Sequence, residues 1–196
     1  MTEAHISTAT ITRLVTLLQL EPQGPDHFRG ASEDIGSGRV FGGQVLGQAL
    51  VAACRTATSP IHSLHAYFLL PGDHHQPINY LVERVRDGRS FATRRVVAQQ
   101  KGRTIFTMMA SFHAPEAGSF SHQRQMPAVP PPEGLQTETA LRQAQAHQLP
   151  AGWRGEKLPP IEYRMVDPVD LLHPAPRAAD TQLWLRACAA VPNDPV

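Results

Sequence analysis

Apolar positions along the chain change their period part-way. In ITRLVTLLQL (residues 11–20), Ile11, Leu14, Val15 and Leu18 recur at helical spacing and predict a short amphipathic helix with one docking stripe. From Pro22 to Ser37 the chain is interrupted by Gly24, Pro25, Gly30 and Gly36, which reads as connection with a short edge strand at residues 27–30. VFGGQVLGQALVAACR follows, and Val45, Leu46, Ala49, Leu50, Ala52 and Ala53 leave it almost no polar face, so a helix here is expected to be buried on most sides. Beyond it the period falls to two. IHSLHAYFLL (61–70) ends at Pro71-Gly72, INYLVERVR (78–86) alternates through Ile78, Tyr80 and Val82 to Asp87-Gly88, and SFATRRVVAQ (90–99) passes through Lys101-Gly102 into RTIFTMMASFH (103–113). Phe106, Met108, Ala110 and Phe112 share one face of that last strand.

One all-apolar helix followed by antiparallel strands predicts an α+β hotdog fold: a curved antiparallel sheet wrapped around one central buried helix. A parallel sheet is excluded, because no helix separates the later strands. Residues 1–118 are expected to form this first repeat. Residues 119–158, with Pro130-Pro131-Pro132, read as a Pro-rich linker carrying a short helix near 136–148 and Trp153 as an anchor on the first domain. IEYRMV (161–166) and TQLWLRACAAV (181–191) are strand-like, but two strands cannot bury a core of their own. Residues 159–196 therefore read as the start of an incomplete second hotdog repeat.

Composition narrows the partners. Hydrophobic residues are 41% and charged residues 18%, enough apolar material for a core. With 18 basic against 17 acidic residues, nothing in the net charge of +1 draws the chain to nucleic acid or an anionic membrane. Two cysteines, Cys54 and Cys188, do not make a disulfide framework, and the opening Met-Thr-Glu-Ala-His lacks a secretory pattern, so the expected compartment is the cytoplasm. No apolar run reaches the ~18 residues of a membrane span.

Several residues carry candidate chemistry. Gly42, Gly43 and Gln44 open the apolar helix, where free backbone N–H groups can meet a carbonyl oxygen or a phosphate; the alternative is that these glycines serve packing alone, and Gly47 one turn in permits close approach of a neighbouring backbone. His62 and His65 are three apart in a strand, so they are expected on opposite faces, where each serves as an acid, a base or a structural histidine. Asp73, His74 and His75 form a turn without a convergent third metal ligand, so no metal and no cofactor is expected. Arg84, Arg86, Arg89, Arg94, Arg95, Lys101 and Arg103 gather at two turns taken as neighbours, as a phosphate site or as charge guarding a sheet edge. Met108, Met109, Phe68, Phe106 and Phe112 are core or acyl-tunnel candidates. No GxSxG elbow is present.

The strings SEDIGSGRVFGGQVLGQAL, HSLHAYFLLPGD, VRDGRSFATRRVVAQQKG and MMASFHAPEAG, with RMVDP and LWLRACAAVPND near the end, resemble the type II acyl-CoA thioesterases. That resemblance implies two hotdog repeats in one chain, with a catalytic Asp, a Thr or Ser, and a Gln in the second repeat. It implies hydrolysis of fatty acyl-CoA to free fatty acid and coenzyme A, with a first-repeat helix more structural than catalytic; the substrate-binding candidates read from the residues themselves are Gly42, Gly43, Gln44 and His65. It places the three catalytic positions beyond Val196 and Asp194 in a loop before the second helix, so the chain is expected to be truncated and inactive alone. Alternatives are a noncatalytic acyl-CoA-binding or regulatory hotdog subunit and, further off, a hotdog hydratase or dehydratase. Expected partners are the acyl-CoA substrate and either another copy in a homo-oligomer or a complementing second-repeat chain. An unpaired sheet edge predicts self-association.

Overall fold

The structure is a computed structural model and describes residues 3–151, 154 and 159–191. These gather into two compact units, one centred on Val15–Ser119 and the other on Phe120–Pro192 with the chain up to Leu14. No described helix is long and apolar enough to cross a membrane.

Helix α1 spans Glu3–Leu18, extending the expected stripe towards the N-terminus, and Ile11 is buried while Leu14, Val15 and Leu18 are half-buried. A small hairpin follows, β1 (Glu21–Gly24) with β2 (His27–Gly30). Helix α2 (Gly42–Cys54) then leads to β3 (Ile61–Phe68), β4 (Ile78–Asp87), β5 (Phe91–Gln100) and β6 (Arg103–His113). The six strands form one antiparallel sheet in the order β1-β2-β4-β5-β6-β3. Tyr80, Ala98 and Phe106 stand side by side across β4, β5 and β6, as do Val82, Val96 and Met108. All six are buried, so the even-numbered positions of these strands line one face. Helix α2 lies on that face and contacts every strand from β2 to β6. This is the curved sheet around one helix that the change of period predicts.

The fit of α2 rests on small and polar residues together. Ala49, Ala52 and Ala53 are fully buried and let the sheet approach closely. Gln48 is equally buried, and its carboxamide is saturated: Nε2 donates to the Leu17 carbonyl at 2.6 Å and the Ala31 carbonyl at 2.9 Å, while Oε1 accepts from the Tyr80 hydroxyl at 2.7 Å. Burial pushes the Tyr80 phenol up, so it stays a donor. Gly30 is required beside this amide, because a Cβ there would lie 2.7 Å from Gln48 Cδ. Gly47 makes room for the Leu18 side chain, which stands in for the neighbouring backbone that its position suggests.

Arg94 closes the other end of the helix. Its side chain is 1% exposed and donates to Thr56 Oγ1 at 2.9 Å, the Thr56 carbonyl at 2.7 Å, the Arg86 carbonyl at 2.9 Å and the Asp87 carboxylate. One guanidinium thus ties the exit of α2 to the β4–β5 connection. That connection is not the two-residue turn its Asp-Gly suggests. The register shifts between Arg84 and Arg86, and Gly88 N–H bonds the Phe91 carbonyl at 2.9 Å across a longer loop. The β5–β6 turn does follow the sequence: Lys101 and Gly102 both have positive φ, 49° and 72°, as a two-residue hairpin requires.

In the second unit, α3 (Glu138–Ala144) begins at Thr137, whose Oγ1 accepts from Ala140 N–H at 3.0 Å, and it stops four residues before the expected end. β7 (Ile161–Met165) pairs with β8 (Leu183–Ala187). The linker is pinned to this hairpin: Trp184 Nε1 donates to the Pro130 carbonyl at 3.0 Å, and Arg164 Nη1 donates to Pro132 and Leu135 carbonyls at 2.9 and 2.7 Å. Trp153 and Asp194 lie outside the described residues.

Replacing Arg94 by Met strands the Thr56 and Arg86 carbonyls, and urea unfolding should show a loss of about 3 kcal/mol. Arg94→Lys should recover less than half of that loss. Equal stability of Arg94→Met and the parent would contradict the closure.

Candidate functional site

The entrance to α2 is built by the loop before it. Asp34 organises that loop: its Oδ1 accepts from the N–H groups of Gly36, Ser37 and Gly38 at 2.8, 2.9 and 3.0 Å. Gly36 and Gly38 sit at φ +105° and +71°, a course open to glycine. The Gly36 bond is the largest influence holding the Asp34 carboxyl below the usual carboxylate range; burial opposes it, and the Gly38 and Ser37 bonds and the nearby His74 lower it further. The loop closes through an Asp34–Val40 bridge and a 3.1 Å bond from Val40 N–H to the Gly72 carbonyl.

Phe41 caps the helix without a side-chain hydrogen bond. The structure brings Gly42, Gly43 and Gln44 together here, but it does not leave all three N–H groups available. Gln44 N–H donates to the Phe41 carbonyl at 3.0 Å, so Gln44 is not the free backbone donor its position suggests. Its side chain is also committed inward, Nε2 to the Ala31 carbonyl at 2.9 Å and Oε1 from Glu33 N–H at 3.3 Å. The donors left at the entrance belong to Gly42 and Gly43. Two aromatic rings crowd them: a Cβ on Gly42 would lie 3.1 Å from the Phe68 ring, and one on Gly43 would enter the Phe41 ring. Ile35, Phe41, Phe68 and Leu69 are each more than half exposed around this point.

His65 stands elsewhere. In β3, Leu64, Ala66 and Phe68 pair with the buried Ala110, Met108 and Phe106, so His65, opposite Met109, faces away from α2. Its ring meets Tyr67 edge-on at 4.8 Å. His62 corrects the simple alternation rule. A register shift between Ile61 and Ser63 turns its ring to the same outer face, where Nε2 lies 3.0 Å from Ser111 Oγ and the ring meets Phe91 and His113, each at 6.0 Å.

The basic residues do not form one cluster. The β4–β5 and β5–β6 turns lie at opposite ends of β5, whose ten residues extend roughly 30 Å. Arg84 pairs with Asp26 at 2.9 Å, Arg95 with Glu83 at 3.3 Å and Lys101 with Asp73 at 2.8 Å, while Arg94 is buried. The 73–75 turn is a clamped connection: Gln100 Oε1 accepts from Asp73 N–H and its Nε2 donates to the Asp73 and Gln76 carbonyls, all at 2.8 Å. Phe106, Met108 and Phe112 are core; Met109 faces outward.

The entrance therefore offers two backbone donors at the positive end of a helix inside an apolar rim. Asp34 is spent on its loop, where His74 bears on its charge, and Glu33 adjoins the entrance through its N–H bond to Gln44. Two such N–H groups are of the kind that can hold a polarised oxygen.

A family model described as the acyl-CoA thioesterase N-terminal domain matches residues 31–113. Acyl-coenzyme A thioesterase 8 of Homo sapiens is 39% identical over 184 residues, 89% of this chain and 58% of that protein. Acyl-CoA thioesterase 2 of Haemophilus influenzae is 46% identical over 142 residues, 71% of this chain and 49% of that protein. The crystal structure of an acyl-CoA thioesterase II, TesB2, from Mycobacterium marinum superposes with a TM-score of 0.71 at 40% identity, covering 92% of this chain and 62% of that one. A protein from Alicyclobacillus acidocaldarius described as having a hot dog fold superposes at 0.72 with 21% identity, and supports the hotdog fold alone. The chain thus spans about half the length of these curated relatives, 58% and 49%.

Replacing Asp34 by Ala should speed amide exchange at Gly36, Ser37 and Gly38 by roughly tenfold or more, since each loses its acceptor. The lowered Asp34 carboxyl stabilises the loop above the ordinary carboxylate pKa, and that contribution is lost as pH falls through the folded value. Exchange at the three amides, corrected for intrinsic rates, should therefore converge between parent and variant in acid. Equal protection at neutral pH would contradict the Asp34 template.

Proposed function

The chain belongs to the acyl-CoA thioesterase family, and from that premise we propose that it supplies the first hotdog repeat of an enzyme that hydrolyses fatty acyl-CoA to free fatty acid and coenzyme A. The observation that supports this reading is the α2 entrance, which presents the Gly42 and Gly43 N–H groups beside the Phe41 and Phe68 rings. Thioester hydrolysis needs both a carbonyl site and a water-activating group. On this reading the second is supplied by another repeat, residues 1–118 are the first repeat, 119–158 the linker, and 159–196 the opening of the second.

Two features support that division. In the β7–β8 hairpin, Tyr163 pairs with Leu185 and Met165 with Leu183 on one apolar face, while the linker covers the face of Arg164 and Trp184. Leu185 remains 57% exposed, as expected of a strand pair awaiting a helix of its own. The first sheet also has two unlike edges. β1 is four residues long with Pro22 and an irregular register, the usual protection of an edge. β3 is eight residues long and carries Leu64, Tyr67 and Phe68 at 38%, 60% and 58% exposure. We assign β3 as the edge that pairs with a second hotdog repeat, supplied by another copy when the chain is alone. The setting proposed is the cytoplasm, in fatty acid metabolism.

Chain 1–196 assayed with palmitoyl-CoA and a thiol reagent should release coenzyme A no faster than buffer. Turnover on the order of 1 s⁻¹ or more, an ordinary enzyme rate, would place the chemistry within these residues and overturn the reading.

A further inference from the structure

We propose that the face of the β7–β8 hairpin carrying Arg164 and Trp184 is a recognition site for a polyproline II segment, and that residues 130–135 of the linker are its resident ligand, exchangeable for a free peptide of the same kind. All of these residues lie in the second unit, so the site is independent of the α2 entrance.

Pro130-Pro131-Pro132 offers no N–H groups, so a surface that binds this run must donate to its carbonyls. Pro131 has φ −65° and ψ 151°, the polyproline II conformation. A short 3-10 turn at Pro132–Gly134 ends the run, and Leu135 N–H closes it on the Pro132 carbonyl at 3.1 Å. The ligand is thus a stiff arm followed by a hook.

The hairpin meets it with matched donors. Arg164 and Trp184 are directly opposed across the two strands, so their side chains share one face. Trp184 Nε1 donates to the Pro130 carbonyl at 3.0 Å, and Arg164 Nη1 donates to the Pro132 carbonyl at 2.9 Å. Carbonyls two residues apart lie about 6 Å apart along a polyproline II helix, and the Cβ atoms of a cross-strand pair are about 5 Å apart. One residue pair therefore reads the arm at its own repeat. Arg164 Nη1 also takes the Leu135 carbonyl at 2.7 Å, which fixes the hook.

The guanidinium is aimed by the hairpin itself. Glu162, two residues earlier on the same face, accepts from Arg164 Nε at 2.8 Å and from Arg186 Nε at 2.9 Å. An indole donor beside a polar donor, both held on paired strands, is the means by which proline-rich segments are commonly recognised. The tethered linker occupies this seat at an effective concentration on the order of 1 mM, which excludes a free peptide from the parent chain.

Fluorescence anisotropy of a labelled peptide of residues 126–136 tests this, with chain 1–196 and with its variant Pro130→Gly, Pro131→Gly, Pro132→Gly, in which the linker no longer holds the seat. The peptide should bind the triple variant at least roughly tenfold more tightly than the parent. Adding Trp184→Phe, which keeps a ring and removes the donor, should weaken that binding roughly tenfold. The same peptide with its three consecutive prolines replaced by alanine should also bind roughly tenfold more weakly, having lost the stiff arm. Equal binding to parent and triple variant would place the peptide elsewhere and overturn the proposal. Unchanged affinity with Trp184→Phe, or with the alanine peptide, would overturn the reading of a polyproline arm by this pair. Hydrogen exchange across β7 and β8 reports whether the triple variant keeps its hairpin. With the hairpin intact, absence of binding overturns the site. With the ladder protection lost, about 1 mM peptide should restore it, and a hairpin that stays open in its presence overturns the site as well.

Discussion

The Gln48 carboxamide is the joint on which the first unit depends. It sits fully buried in the middle of α2 and meets the end of α1 at Leu17, the exit of β2 at Ala31 and the hydroxyl of Tyr80 on β4. A buried amide must have these partners, since each unmet group costs about 1–3 kcal/mol. The helix therefore has one rotation and one depth that satisfy it. Gln44, one turn earlier, fixes the same exit at Ala31 and Glu33 and so positions the Asp34 loop and the helix entrance. Arg94 performs the same task at the opposite end, where Thr56 leaves the helix. Packing supplies the affinity of helix for sheet, and these three polar side chains select its geometry.

That geometry also determines what the unit can do. With α2 seated on the sheet, its first turn opens beside Phe68, at the end of the edge strand β3. The donors of Gly42 and Gly43 and the apolar rim thus lie at the edge where a second repeat is expected to join. On the function proposed above, this corner and this edge together form a half-site completed by a second repeat.

The fold was legible where burial is continuous along the chain. The alternation through Ile78, Tyr80 and Val82, and through Phe106 to Phe112, reports a single buried face, and the apolar run of α2 reports a helix enclosed by a sheet. Gln48, Arg94 and Gln100 were not legible as buried, because their burial is made possible by carbonyls and hydroxyls distant in sequence. The arginine cluster dissolved because residues near in sequence flank a ten-residue strand, which carries its two turns apart. His62 departed from alternation because a bulge depends on register with β6, information that β3 alone does not hold. At the site, Gly42 and Gly43 could be placed from sequence, whereas the engagement of Gln44 and the outward face of His65 needed the structure.

The central claim is that β3 is the strand through which this unit is completed. Hydrogen exchange of chain 1–196 at about pH 8, followed residue by residue, tests it most directly. In the associated protein, the β3 amides that have no acceptor on β6 should be protected roughly a hundredfold or more, as ladder amides are, and those of β1 should not. Fast exchange at these β3 amides in a demonstrably associated sample would show that the copies meet elsewhere, and would contradict the account.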